Sequence, residues 1–220
     1  MGGAYAAERQ EVLDAVRAIV AAGLVAGSSG NVSRRIAAKD GELYAVTASS
    51  VPYARFSLDD VLVVDAEVEP VVGDGVPSSE SLTHLAIYRA RPDVNAVIHT
   101  HSLHASAFAV SGRALPCILD EQAVFLGGAI EVAEYGASAS DELARNAADA
   151  LSDRAAVLLR NHGVVGVGAS LEQAVAAVTL VERVAQVYLL SLPLGGPRAL
   201  PPDVVERERK VYRMLKGFKD

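Results

Sequence analysis

Apolar residues recur at helical spacing in several stretches of this chain. From Glu8 to about Ala22, Val12, Ala15, Val16, Ile19 and Val20 share one face, and Gly23 ends the run. Glu80 to Arg91 reads as a helix stopped by Arg91-Pro92-Asp93, and Leu103 to Val110 as a shorter one. Leu171 to Leu192 is a long amphipathic pattern closed by Pro193 and Gly195-Gly196, and a charged terminal helix runs from near Pro202 to about Lys216. Strand-like pieces lie between them: Val32–Ile36, Glu42–Thr47, Val61–Asp65, a hydrophobic strand from Ala96 into His99-Thr100-His101, Ala155–Leu159 and Val164–Val167. Several strands follow one another directly. The pattern therefore predicts a layered α/β or α+β domain with a mixed sheet, not a clean Rossmann alternation.

Composition narrows this picture. Hydrophobic residues make up 51% of the 220 residues, which argues for a folded globule, and no repeat or linker divides 1–220, so one domain is expected. The net charge of −7, without any Lys/Arg cluster, argues against nucleic acid or an anionic membrane as partner. Apolar runs such as Ala155–Leu159 are too short to span a bilayer, and charges stand where a signal peptide needs its apolar core. Cys117 is alone, so no internal disulfide forms. A soluble cytoplasmic protein is the expectation.

The candidate chemistry centres on histidine. Side chains alternate along a strand, so His99 and His101 face the same way, close enough to share a metal ion. His162 ends an apolar strand beside Gly163, where a turn or capping role competes with a ligand role. Glu80 opens a helix, where a first-turn acid favours the helix dipole; it also lies one helical turn from His84, close enough to pair with it or to bind a metal with it. His104, in the following helix, has the weakest claim. Three segments rich in hydroxyls, Gly27-Ser28-Ser29-Gly30-Asn31, Thr47-Ala48-Ser49-Ser50 and Ser78-Ser79, suit either simple turns or an anion, phosphate above all. None has a nucleotide-binding pattern.

Taken in order, Gly30-Asn31-Val32-Ser33, Thr47-Ala48-Ser49-Ser50, Pro77-Ser78-Ser79-Glu80, His99-Thr100-His101-Ser102 and Asn161-His162-Gly163 resemble the class II aldolase/adducin family. The resemblance implies a three-layer α/β/α domain with a mixed, mostly antiparallel sheet. It implies one zinc ion, with manganese or cobalt as substitutes, bound by Glu80, His99, His101 and His162, and gives His84 no metal role. Ser28, Asn31, Ser49, Ser50, Ser78 and Ser79 would line a phosphate site, with Glu80 as acid/base and Tyr212 as the match to a C-terminal catalytic tyrosine. The implied reaction is retro-aldol cleavage of a phosphorylated ketose, such as L-fuculose 1-phosphate, into dihydroxyacetone phosphate and an aldehyde through a metal-stabilised enediolate. The implied assembly is a homotetramer with active sites between subunits.

Two positions depart from the family's pattern. Ser50 stands where it usually has glycine, and Glu121 falls on the place of a second tyrosine. An acid cannot replace a phenol as a neutral donor at pH 7 without a strongly raised pKa. Sugar-phosphate 4-epimerases and sugar-acid phosphate decarboxylases share the family. Its epimerases usually carry Asp where Glu80 stands, which favours the aldolase. A non-enzymatic scaffold would lack the histidine set.

Overall fold

The computed structural model describes residues 4–38 and 41–218. Chain order runs α1 (Ala6–Ala21), β1 (Asn31–Ala38), β2 (Gly41–Thr47), β3 (Val61–Val64), β4 (Pro70–Val72), α2 (Ser81–Ala90), β5 (Ala96–Thr100) and α3 (Leu103–Ser111). It continues with α4 (Asp120–Leu126), β6 (Val132–Ala133), α5 (Asp141–Leu151), β7 (Ala156–Leu159), β8 (Val164–Gly168), α6 (Leu171–Ser191) and α7 (Pro202–Lys216). The expected helices and strands are all present, within a residue or two at their ends. Among the described residues α4, α5 and the short strands β4 and β6 are additional to the sequence expectation.

One eight-stranded sheet has the order β4-β3-β2-β1-β5-β8-β7-β6. Every pairing is antiparallel except that of β6 with β7. The sheet is thus mixed and mostly antiparallel, with helices on both faces. The alternation of strand side chains divides the core. Tyr44, Val46, Leu62, Val64, Val97, Val157 and Val165 face α2 and α5. Ala45, Val61, Val63, Ala96 and Ile98 face α1 and α6. A third cluster joins Phe108 of α3, Leu126 of α4, Val181 and Val184 of α6, and Tyr212 of α7. By length and composition alone, the segment Leu171–Leu194 is apolar enough to cross a membrane. In the fold it lies along β5 and β8 with Ala174, Val178, Val181 and Ala185 buried.

The strand that carries the histidines is central. β1 and β8 flank β5, with Asn31 opposite His99 on one side and Val165 opposite it on the other. His99 shares a sheet face with Val97, the face on which α2 lies and at whose N-terminal edge Glu80 sits.

Candidate metal centre

Three imidazoles meet at the C-terminal end of β5. The ring centroids of His99, His101 and His162 are 4.7–4.9 Å apart. Although β5 ends at Thr100, His101 still lies beside His99, with their Nε2 atoms 3.0 Å apart. His162 arrives from the tight turn joining β7 and β8, where His162 N–H donates to Leu159 O at 3.0 Å and Asn161 takes a left-handed φ of 58°. That turn needs Gly163: a Cβ there would stand 2.4 Å from Thr100 O and 3.1 Å from His99 Cε1. Gly30 closes the opposite side in the same way, since its Cβ would lie 2.6 Å from His99 O.

His99 Nδ1 lies 3.0 Å from Val164 O and donates its proton there, which leaves the Nε2 lone pair facing the cluster. Burial holds the His99 pKa down, to about 3, and burial also lowers that of His101, so these rings are neutral. Glu80 completes the group. Its Oε2 is 3.2 Å from His99 Nε2 and its Oε1 is 3.3 Å from His162 Nε2. Burial opposes ionisation of Glu80, but the neighbouring imidazoles and a hydrogen bond from Ser138 outweigh it and keep the carboxyl below its ordinary value. Glu80 is the N-cap residue of α2, yet its side chain caps nothing in that helix; it turns instead to the histidines.

This donor set fits a metal. Neutral imidazole nitrogens crowded nose to nose repel unless a proton or cation lies between them. Tetrahedral zinc with bonds of about 2.0–2.1 Å places its ligand atoms ~3.3 Å apart, close to the separations seen here. The three histidine nitrogens all lie within 4.8 Å of one another.

Beside the histidines opens a small polar cavity of about 210 Å³. Ser28, Asn31, Ser49, Ser50, Ser78 and Ser79 all line it, together with Glu80, His101 and His162. Backbone bonds bring these distant segments together. Ser49 N–H donates to Val76 O at 2.8 Å and Ser78 N–H to Thr47 O at 3.0 Å. Tyr53 ties in the first segment, its hydroxyl donating to Gly30 O at 2.7 Å. Ser50 takes a left-handed φ of 61°, the backbone state that glycine adopts without strain.

Other singled-out residues stand apart from the cavity. His84 is fully buried and bonds Ser33 Oγ at 2.7 Å, not Glu80. His104 pairs with Glu182, its Nδ1 2.7 Å from Oε1. Tyr212 is not brought to the site: it is buried between α7 and α4, its hydroxyl donates to Asp153 O at 2.7 Å, and burial raises its pKa to about 12. Within its own chain the phenol is a packing group and does not line the cavity. Glu121 in α4 lies 3.7 Å from Arg183 and borders a separate groove of about 570 Å³ between α1 and α6. Sequence reasoning missed Ser138, which lines the cavity and donates to Glu80 Oε1 at 2.6 Å. The flanking cap signal of Ser140-Asp141-Glu142 was available, but nothing local shows which way Ser138 faces.

Residues 10–189 match the family described as the class II aldolase and adducin N-terminal domain. The chain is 33% identical over 205 residues to a 5-deoxy-D-ribulose 1-phosphate aldolase of Bacillus thuringiensis serovar kurstaki, covering 93% of this chain and 95% of that one. It is 36% identical over 213 residues to a 5-methylthioribulose-1-phosphate/5-deoxyribulose-1-phosphate aldolase of Rhodospirillum rubrum, covering 97% and 94%. A solved L-fuculose 1-phosphate aldolase superposes with a TM-score of 0.88 at 33% identity, covering 96% of this chain and all of that one.

Proposed function

The chain belongs to the class II aldolase and adducin family, and from that premise we propose that it is a zinc-dependent aldolase cleaving a ketose 1-phosphate into dihydroxyacetone phosphate and an aldehyde. The observation that carries this reading is the meeting of Glu80 with three imidazoles at the edge of a hydroxyl-lined cavity. In this reading His99, His101, His162 and Glu80 hold the ion. When bound, a divalent metal supplies the positive charge that stabilises the electron pair left beside the carbonyl as the carbon–carbon bond breaks.

The remaining roles belong to the chain itself. The hydroxyls of Ser28, Ser49, Ser50, Ser78 and Ser79, with the Asn31 amide, bind the phosphate as hydrogen-bond donors. Glu80 takes the proton of the hydroxyl whose carbon becomes the aldehyde and returns a proton to the carbon beside the carbonyl, which becomes the hydroxymethyl carbon of dihydroxyacetone phosphate. Val164 O keeps His99 in the tautomer that presents Nε2. We assign the working form as a homotetramer with active sites between subunits.

The test is a substrate panel. Protein verified to carry one zinc per chain is offered L-fuculose 1-phosphate and 5-deoxyribulose 1-phosphate, and the products are identified. Release of dihydroxyacetone phosphate with an aldehyde supports the proposal. An inverted sugar, carbon dioxide, or no reaction in either direction overturns it.

A further inference from the structure

We propose that Ser138 is a positioning residue for Glu80: its hydroxyl fixes the carboxylate at the histidine cluster. The inference rests on the metal-site reading above. Ser138 Oγ donates to Glu80 Oε1 at 2.6 Å, the shortest hydrogen bond that carboxylate makes; Asn31 Nδ2 reaches Oε2 only at 3.5 Å. A carboxylate that ligates a metal is oriented by such outer hydrogen bonds.

The loop carrying Ser138 is anchored on both sides of it. Before it, Asn146 Nδ2 donates to Glu134 O and to Tyr135 O, each at 3.2 Å. Gly136 then lies directly on the first turn of α5, where a Cβ would stand 2.5 Å from Leu143 N and 2.6 Å from its Cα. After it, Ser140 Oγ accepts the Leu143 N–H at 3.1 Å and caps α5. Between these anchors Ala139 takes a left-handed φ of 63°. The loop is held by α5 on one side and presents one hydroxyl to Glu80 on the other. Ser138 Oγ is thus preset by backbone packing, so orienting the carboxylate costs little ordering of its own.

The experiment compares wild type, Ser138→Ala and Ser138→Thr. Zinc affinity is measured by chelator competition, cleavage by kcat and KM, and folding by thermal unfolding of the metal-free proteins. Ser138→Ala is expected to weaken zinc binding about 10–100-fold, and to lower kcat while KM and the metal-free unfolding midpoint hold. Ser138→Thr, which keeps the hydroxyl, is expected to restore zinc affinity. Equal zinc affinity in all three proteins overturns the proposal. So does a rise in KM alone, which would make Ser138 a phosphate contact. If wild type cleaves no ketose phosphate, the proposed reaction fails, while the zinc measurement still decides the role of Ser138.

Discussion

His99 and Glu80 face each other across 3.2 Å, yet they are held in opposite ways. His99 is fixed by main chain: ladder partners on both sides, Val164 O on its far nitrogen, and the bare Cα of Gly163 against its ring. Glu80 stands at the end of a helix with its carboxylate held by side chains alone, Ser138, Asn31 and the imidazoles. A ligand built into a sheet stays where it is. A carboxylate held by hydroxyls and amides can let go, which suits the role of acid/base serving both metal and substrate that is proposed for Glu80.

Four measurements would break or sharpen this contrast. His99→Ala is expected to abolish stoichiometric zinc binding and all measurable cleavage, as metal analysis beside the assay would show. Glu80→Gln should keep zinc on the three histidines, with weaker affinity, while kcat falls by about 10²–10⁴. If Glu80→Gln empties the site as fully as His99→Ala, the two ligands are equivalent and the contrast is gone.

The third measurement concerns pH on the helix that carries Glu80. Burial lowers the pKa of His84 from 6.5 to about 4. The unfolded chain therefore takes up this proton first, so stability is full above pH 6.5 and declines as the pH falls towards 4, by roughly 3 kcal/mol from this residue. Urea midpoints of metal-free protein at pH 7 and pH 5 should reveal it, with a shallower loss in His84→Gln; equal losses would reject His84 as the source. The smallest effect belongs to the cavity. Ser49→Ala removes one hydrogen bond to phosphate, so KM should rise about fivefold with kcat unchanged.

Much of this was legible in the sequence because the signals are local. The His-x-His pair needs only strand alternation, and Gly163 beside His162 already marks a close approach. The hydroxyl segments were visible as segments. Their meeting in one cavity depends on pairings such as Ser78 with Thr47, which no periodicity reveals. Glu80 illustrates the limit: locally it reads as an acid favouring a helix dipole, and only the sheet face beneath it turns the carboxylate towards His99. Tyr212 shows the converse limit. A tyrosine on an amphipathic helix reads alike whether it points to a cavity or into a core, and here the glycine face at Gly127 receives the ring, with a Cβ there 2.9 Å from Tyr212 Cε1. Helix α5 lies outside the sequence expectation although Leu143, Ala144, Ala147 and Leu151 have helical spacing, and so does the loop before it that carries Ser138.

The place of β5 in the sheet also bears on how the protein matures. The turn bearing His162 leads into β8, which pairs with β5 from far along the chain, so the three imidazoles converge only once this non-local pairing has formed. A nascent chain that has folded its helices but not closed this sheet holds the same histidines scattered. On the proposed reading, metal uptake then follows closure of this part of the sheet and is coupled to folding.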